Sequence, residues 1–367
     1  MEPTQMFEGK RVLVTGATGS LGTRFVRHLL TGAAGRPQEV IAFSRDEAKQ
    51  HTMRLDLERR GTPEDELVHQ HRHLVRFHLG DIGDFDAVCR VVRRADVVVN
   101  AAAMKQVPTC ERFPSEAVRT NVLGPEQMVR AIRRHDYPVE VVVGISTDKA
   151  CKPVNVLGMT KALQERLLVQ ANVEAPGTRF VIARYGNVMG SRGSVIPLFV
   201  EQIRRGGPVT VTAPGMTRFM MTLDQAVQTV VDVAATGRPG ETYVPIVPSA
   251  FVTDVAAALI GDRPIRTVIS GIRPGEKVHE ILVADEERSR TVRRGQYLVI
   301  RPMLPELADE RGDVAPDAHG APGLSSELSS GTAPLAPADV AALRSDLAGG
   351  PGDLGRNFVS GPPAARD

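Results

Sequence analysis

The stretch STDKACKPVNVLGMTK, residues 146–161, holds the side chains of this chain best suited to moving protons. Asp148 and Lys149 are consecutive, a carboxyl beside an amine. Such a pair can offer one acid and one base to neighbouring atoms of a single bound molecule, provided the turn splays them. A lysine accepts a proton only when neutral, so burial or the nearby Lys161 has to weaken its hold on its own proton. A protonated aspartate needs the opposite shift. Thr147 adds a hydroxyl. Lys161 lies one helical turn beyond Leu157, so those two face the same way.

Something must hold these groups at one place, and the flanking pattern supplies it. The β-branched runs KRVLVT (10–15), EVIAF (39–43), LVRFHL (74–79), DVVVNA (96–101), EVVVGIS (140–146) and RFVIAR (179–184) read as short buried strands. Between them, Leu21, Phe25, Val26, Leu29 and Leu30 fall at helical spacing, as do Leu163, Leu167, Leu168 and Ala171. Strands alternating with amphipathic helices predict an α/β fold, a doubly wound, Rossmann-like parallel sheet with right-handed crossovers. Ligands of such sheets lie beyond the carboxyl ends of the strands, where Ser146 to Lys149 follow strand five. After residue 187 the alternation breaks into GSRGSVIP, RRGGPV and TAPGMTRF. The expected organisation is a nucleotide-binding domain over 8–187, with 216–247 returning to it. A smaller, interleaved C-terminal α/β substrate lobe then covers 188–302. The tail, 303–367, is rich in Pro, Gly and Ala and reads as flexible or extended, with one short helix in ADVAALRSDL.

VLVTGATGSLGTRF places Gly16, Gly19 and Gly22 between the first strand and the first helix. Glycines there let the backbone turn tightly and approach a pyrophosphate on the helix N-terminus. Thr15, Thr18, Ser20 and Leu21 complete the predicted phosphate loop. The second strand ends FSRDE, with Ser44 and Arg45 where a carboxylate would bind the ribose of NAD. A hydroxyl and a guanidinium suit a 2′-phosphate, so NADP is favoured over NAD. Asp81 and Ile82 are placed for the adenine edge. Ala101, Ala102 and Ala103 end the fourth strand with side chains small enough for a dinucleotide to pass.

In the second lobe, Asn187 is a candidate for a diphosphate or sugar group, and Arg192, between Gly190 and Gly193, for reaching it unobstructed. Arg218 and Arg273 are candidate diphosphate clamps, since guanidinium offers paired donors, and Glu276 a ribose acceptor. Lys105, past strand four, faces the same crevice and either meets substrate or pairs with Glu111.

The 367 residues allow one large or two medium domains with real cores. A net charge of +2 lacks the basic surplus of a dedicated nucleic-acid binder. Cys89, Cys110 and Cys151 are too scattered for a disulfide framework or zinc site and read as reduced thiols. The histidines form no metal-ligand cluster, and HQHRH at 69–73 reads as solvated surface. MEPTQMFEGK has no apolar signal segment, and no run approaches the ~20 apolar residues of a membrane span. The expectation is a cytoplasmic enzyme without metal, membrane or nucleic acid.

The chain resembles the extended short-chain dehydrogenase/reductases. More narrowly it resembles the soluble UDP-N-acetylglucosamine 4,6-dehydratases, especially the dehydratase/5-epimerases of capsule and O-antigen sugar pathways. The pieces that carry the resemblance are TGATGSLG, SRDE, AAAMKQVPTCE, TNVLG, STDKA, NVLGMTK, RYGNVMGSRGSVIPLFVEQI, MTRFMMTLDQAV and RPGEKVHEILV. They run in order through about residues 10–285. Such enzymes typically use a Ser/Thr, a Tyr that takes a hydroxyl proton, and a Lys that binds the nicotinamide ribose. Thr147 and Lys161 match, and Leu157 stands at the Tyr position, where the resembled dehydratase/epimerases often carry Met. None of Tyr137, Tyr185, Tyr243 and Tyr297 falls in a YxxxK frame, and Tyr185 is the nearest substitute. The resemblance implies oxidation of a UDP-N-acetylhexosamine at carbon 4, loss of water across carbons 5 and 6, and return of the hydride to carbon 6. It makes Lys149 the carbon-5 base and Asp148 the acid toward carbon 6. The implied product is a 4-keto-6-deoxy sugar nucleotide, inverted at carbon 5, for surface polysaccharide or secondary-metabolite sugars. The alternatives are a UDP-sugar 4-epimerase and a catalytically silent NADP-binding protein that has lost its Tyr. The resemblance also implies a homo-oligomer, often a hexamer in such enzymes.

Overall fold

The computed structural model describes residues 5–59, 74–191, 193–307 and 324–343. The HQHRH run, Arg192 and the remaining tail residues lie outside the described residues. The chain forms two compact units. The first comprises Met1–Tyr185, Val227–Ile246 and Leu282–Glu327, and the second comprises Gly186–Ala226, Val247–Ile281 and Leu328–Asp367.

The first unit opens with β1 (Arg11–Thr15), α1 (Ser20–Thr31), β2 (Glu39–Ser44), α2 (Glu47–Arg59), β3 (Val75–Leu79), α3 (Phe85–Val92) and β4 (Val97–Asn100). Short helices α4 (Val107–Arg112) and α5 (Pro114–Val118) lead through a π-helical turn (Arg119–Leu123) into α6 (Gly124–His135). Then come β5 (Val141–Thr147), a 3-10 turn (Asp148–Ala150), α7 (Val156–Glu174) and β6 (Arg179–Tyr185). Three later strands, β7 (Thr242–Pro245), β8 (Thr291–Arg294) and β9 (Tyr297–Ile300), complete a nine-stranded sheet of order β8-β9-β7-β6-β5-β4-β1-β2-β3. The run from β7 to β3 is parallel. This is the doubly wound sheet that the alternating pattern predicts. Its central strands are Val-rich and buried along their length, as strands covered on both faces must be. The strand order reverses at β1, which pairs with β2 on one side and β4 on the other. The crevice at that reversal is where such sheets bind ligands.

One boundary differs from that expected. The sequence reading carries the second lobe through residue 302, yet β8 and β9 belong to the large sheet. β9 pairs antiparallel with β7, covering backbone groups that would otherwise be a bare edge. The tail carries the short helix expected in ADVAALRSDL, at Pro337–Ala342. It is not a free segment, since Val340 is 1% exposed in the core of the second unit, with Leu335 and Leu343 packed against that core. Those three apolar side chains give an otherwise Pro/Ala-rich segment something to bury.

The second unit is small. Strands Ser249–Phe251, Thr217–Met221 and Asn187–Val188 form one sheet, and Val209–Val211 pairs in parallel with Thr267–Ile269. Phe199, Val255 and Leu259, from helices Val195–Arg204 and Val252–Ile260, fill its core.

Candidate active site

The glycine loop is shaped for a group lying on the backbone. Gly16 has φ +63°, and a Cβ there would stand 2.8 Å from Ala101 O and Ala102 Cα. The loop after β1 and the loop after β4 therefore touch, and only glycine permits it. A Cβ at Gly22 would overlap the Gly16 carbonyl oxygen, so α1 starts directly on the loop. No acidic side chain occupies the first turn of α1, leaving its positive end available to an anion. Asn100, fully buried at the end of β4, accepts from Thr15 Oγ1 at 2.8 Å, while its Nδ2 has no protein acceptor. A buried donor without a partner beside a glycine cradle fits a polar ligand such as a dinucleotide. Thr15 itself is 1% exposed and its hydroxyl ties β1 to Asn100 and to Ala102 N, so it braces the cradle from beneath. Thr18 is buried, Ala101 and Ala102 are half-buried, and Ser20 and Leu21 stand on the first turn of α1.

At the end of β2, Ser44 is buried and its hydroxyl accepts from Gln50 Nε2 at 3.0 Å. Arg45 points outward and pairs with Asp81 at 3.5 Å. The structure thus brings Arg45 and Asp81 together and turns Ser44 inward. Ile82 belongs to the core and packs against Gly124, leaving its backbone as the part able to meet a ligand.

The catalytic candidates converge at the end of β5. Thr147 Oγ1 donates to Asp148 Oδ1 at 2.8 Å, and Lys149 Nζ donates to the same oxygen at 3.0 Å. The turn does not splay the pair: in the 3-10 turn the two side chains meet. Asp148 is fully buried, and its other oxygen, Oδ2, has no protein partner. A buried carboxylate with one saturated and one open oxygen is set to receive or give a proton. Lys161 projects from α7 toward the same strand, donating to Ile145 O at 2.9 Å and Gln164 Oε1 at 2.8 Å. Burial pushes its ammonium down to about 8, against the opposing pull of Glu165.

Leu157 takes no part in proton chemistry. It is 3% exposed and packs with Cys110 and Ala117, flanked by Met104, Val107 and Val156. Tyr185 is paired in register with Thr147 across β5 and β6, but burial pushes its phenol upward, which makes it a poor base. Glu111 accepts from Val156 N at 2.6 Å and caps α7 together with Asn155.

In the second unit, Asn187 and Arg218 line one pocket with Met189, Ile196, Met220 and Val252. Arg218 is not the open clamp expected. Its guanidinium donates to the carbonyls of Thr217, Lys277 and Val278, stitching that strand to the neighbouring segment. Arg273 is exposed and stands with Glu276 in one turn, Glu276 N donating to Arg273 O at 3.1 Å.

A family model described as polysaccharide biosynthesis protein matches residues 12–302. The chain belongs to that family. The chain is 36% identical over 321 residues to the UDP-N-acetylglucosamine 4,6-dehydratase (inverting) of Campylobacter jejuni, covering 87% of this chain and 90% of that protein. A UDP-glucose 4-epimerase of Rickettsia conorii is 40% identical over 290 residues, covering 78% and 81%. Among solved structures, Pen from Bacillus thuringiensis superposes with a TM-score of 0.80 at 30% identity, covering 92% and 97%. The dTDP-glucose 4,6-dehydratase of Streptomyces venezuelae shares the fold, with a TM-score of 0.61 at 24% identity over 73% and 86%. The chain therefore has the extended short-chain dehydrogenase/reductase fold that the sequence resembles.

Several buried polar residues of the site escape a residue-by-residue reading of the sequence. Asn121 accepts from Met104 N, and its amide donates to Met104 O and to Thr160 Oγ1, fixing the loop after β4 against α7. Gln164 holds Lys161 and also donates to Ile145 O at 3.0 Å. Their one visible signal is a polar residue on the buried face of an otherwise apolar helix.

Proposed function

We propose that this chain is a 4,6-dehydratase of a UDP-N-acetylhexosamine, UDP-N-acetylglucosamine in the first instance, and that it works with a nicotinamide dinucleotide. The observation that carries the reading is the Thr147–Asp148–Lys149 cluster at the carboxyl end of β5, beside Lys161. The glycine loop after β1, the loop after β4 and Lys161 would hold the cofactor. Outward-facing Arg45 favours the 2′-phosphate of NADP. When bound, the nicotinamide supplies an acceptor for hydride from carbon 4 and a donor for its return to carbon 6.

The protons are the work of the chain. Thr147 Oγ1 gives its own proton to Asp148 and accepts from Lys149 N at 3.4 Å, which leaves one lone pair for a sugar hydroxyl. The proton count closes when Lys149 enters neutral and Asp148 ionised. The carbon-4 hydroxyl proton then passes through Thr147 to Asp148. Lys149 takes the carbon-5 proton, made acidic by the adjacent ketone, and Asp148 gives its proton to the departing carbon-6 hydroxyl. Return of a proton from Lys149 to the same face retains carbon 5. Return from solvent to the other face, with Lys149 shedding its proton to water, inverts it. The inverting designation of the Campylobacter relative supports inversion here. Asn187 and Arg273 are the proposed sugar-nucleotide contacts.

Exposed Phe113, Leu123, Met159 and Leu163 support a homo-oligomer. No described helix is long and apolar enough to cross a membrane, and a cytoplasmic enzyme is proposed.

The test is to incubate the protein with UDP-N-acetylglucosamine without added reductant. A product lighter by one water is expected. The Rickettsia relatives favour a second reading, a UDP-sugar 4-epimerase, which converts the substrate to an isomer of equal mass. Unchanged substrate with cofactor bound would instead mark a catalytically silent protein.

A further inference from the structure

Beneath the site lies a cluster of charge that the reaction does not use. Arg184, 3% exposed on β6, grips Glu165 with Nε at 2.9 Å and Nη2 at 2.6 Å. The same guanidinium reaches Glu287 at 2.7 and 2.9 Å and Leu282 O at 3.0 Å. Ser146 Oγ, on the residue before Thr147, donates to Glu165 Oε1 at 2.5 Å. One guanidinium faces two carboxylates, so the trio carries an excess negative charge. Arg290, 3.6 Å from Glu287, takes up the Glu287 side of it. Glu165 lies one turn along the same helix from Lys161, where side chains four apart are neighbours, and its charge favours the ammonium form of that lysine.

We propose that Glu165 is a positioning residue for Lys161: clamped by Arg184 and Ser146, it fixes the turn of α7 that carries the lysine and places a negative charge one turn away from it. The geometry links three elements at one carboxylate. Ser146 fixes the strand end that carries Thr147 and Asp148, Arg184 fixes β6, and the helix between them carries Lys161. Burial opposes the charge on Arg184, and the carboxylates of Glu165 and Glu287 outweigh it, so the guanidinium stays charged and the clamp stays closed at any ordinary pH. The other groups around Lys161 are the Cys110 thiol, which burial pushes up and keeps protonated, and the Asp148–Lys149 turn packed on the same helix. The consequence for catalysis rests on the reading of Lys161 as a cofactor-binding lysine, whereas the geometry does not.

The experiment titrates Lys161 directly, by NMR of protein labelled with ¹³C at lysine Cε, the signal being assigned with Lys161→Arg. The wild-type midpoint is expected near pH 8. In Glu165→Gln it falls to about pH 7, the effect of removing one opposite charge at this range. Glu165→Asp keeps the charge at a longer distance and gives an intermediate midpoint, which decides the matter if the Gln variant does not fold. A midpoint unmoved in the folded variants overturns the proposal, since a purely structural glutamate would not change a lysine titration. The same samples are assayed with UDP-N-acetylglucosamine. A moved midpoint with no wild-type turnover rejects the dehydratase reading and keeps this one. Turnover with an unmoved midpoint does the reverse.

Discussion

Gly158→Ala is the substitution whose outcome the structure fixes most sharply. Gly158 is the third residue of α7, and its N–H donates to the Asn155 cap at 2.8 Å. Helix propensity alone makes alanine better than glycine there by about 1 kcal/mol. The packing says otherwise. A Cβ at 158 would overlap the carbonyl oxygen of Lys149 and stand 3.0 Å from its carbonyl carbon and from Pro153 Cβ. These atoms are backbone and ring, not the tip of a flexible chain, so the 3-10 turn itself must retreat by on the order of 1 Å to reach ordinary contact. Overpacking of this kind costs about 1–3 kcal/mol, enough to cancel the propensity gain and more. A displacement of about 1 Å at catalytic groups costs roughly 100-fold in rate. Turnover of UDP-N-acetylglucosamine should therefore drop by about two orders of magnitude, while the thermal midpoint changes by only a few degrees. Cofactor affinity, set at the glycine loop after β1, should stay as it was. A variant with full turnover and a raised midpoint would mean that α7 and the Asp148–Lys149 turn do not pack as described.

Gly16→Ala forces φ +63° on a side chain and drives it into the loop after β4; strain of about 1–3 kcal/mol should weaken NADPH binding tenfold or more in a fluorescence titration, and unchanged affinity would contradict the cradle. Arg45→Ala should lower NADP affinity roughly tenfold with little effect on NAD; an equal loss for both would remove Arg45 from 2′-phosphate recognition. Lys161 titrates near 8 in the fold against 10.5 when unperturbed, so between those values the unfolded chain holds more protons and rising pH stabilises the fold through this group. Below pH 8 both states are protonated and the burial penalty is fully present. Lys161→Met should thus be the more stable protein below pH 8, by on the order of a few kcal/mol, with the advantage shrinking toward pH 10.5. Denaturant midpoints across that range check it, and a constant difference would refute it.

What was legible in the sequence follows from what is local. Val-rich runs alternating with amphipathic segments suffice for the parallel sheet, because burial on both faces leaves no other composition open to the strands. Gly16 and Gly22 are readable because no other residue tolerates the approach they make. Asp148 and Lys149 are readable as a pair, but not their contact, which depends on a 3-10 turn and on side-chain rotation. Partnerships between distant residues were closed to a reading of local pattern: Arg184 meets Glu165 and Glu287 across 19 and 103 residues of chain. Arg218 shows the same limit, since its open donors disappear onto backbone carbonyls that only the folded chain brings near. The β8–β9 hairpin reads equally well as part of either unit until the edge of β7 is seen to need it.

The most direct test of the Asp148–Lys149 account is the position of solvent deuterium in the product. In D₂O the wild-type protein should place one deuterium at carbon 5 of the sugar, read by NMR or mass spectrometry. Lys149→Ala, with cofactor still bound, should place none. Deuterium at carbon 5 at the wild-type rate in that variant would contradict the account.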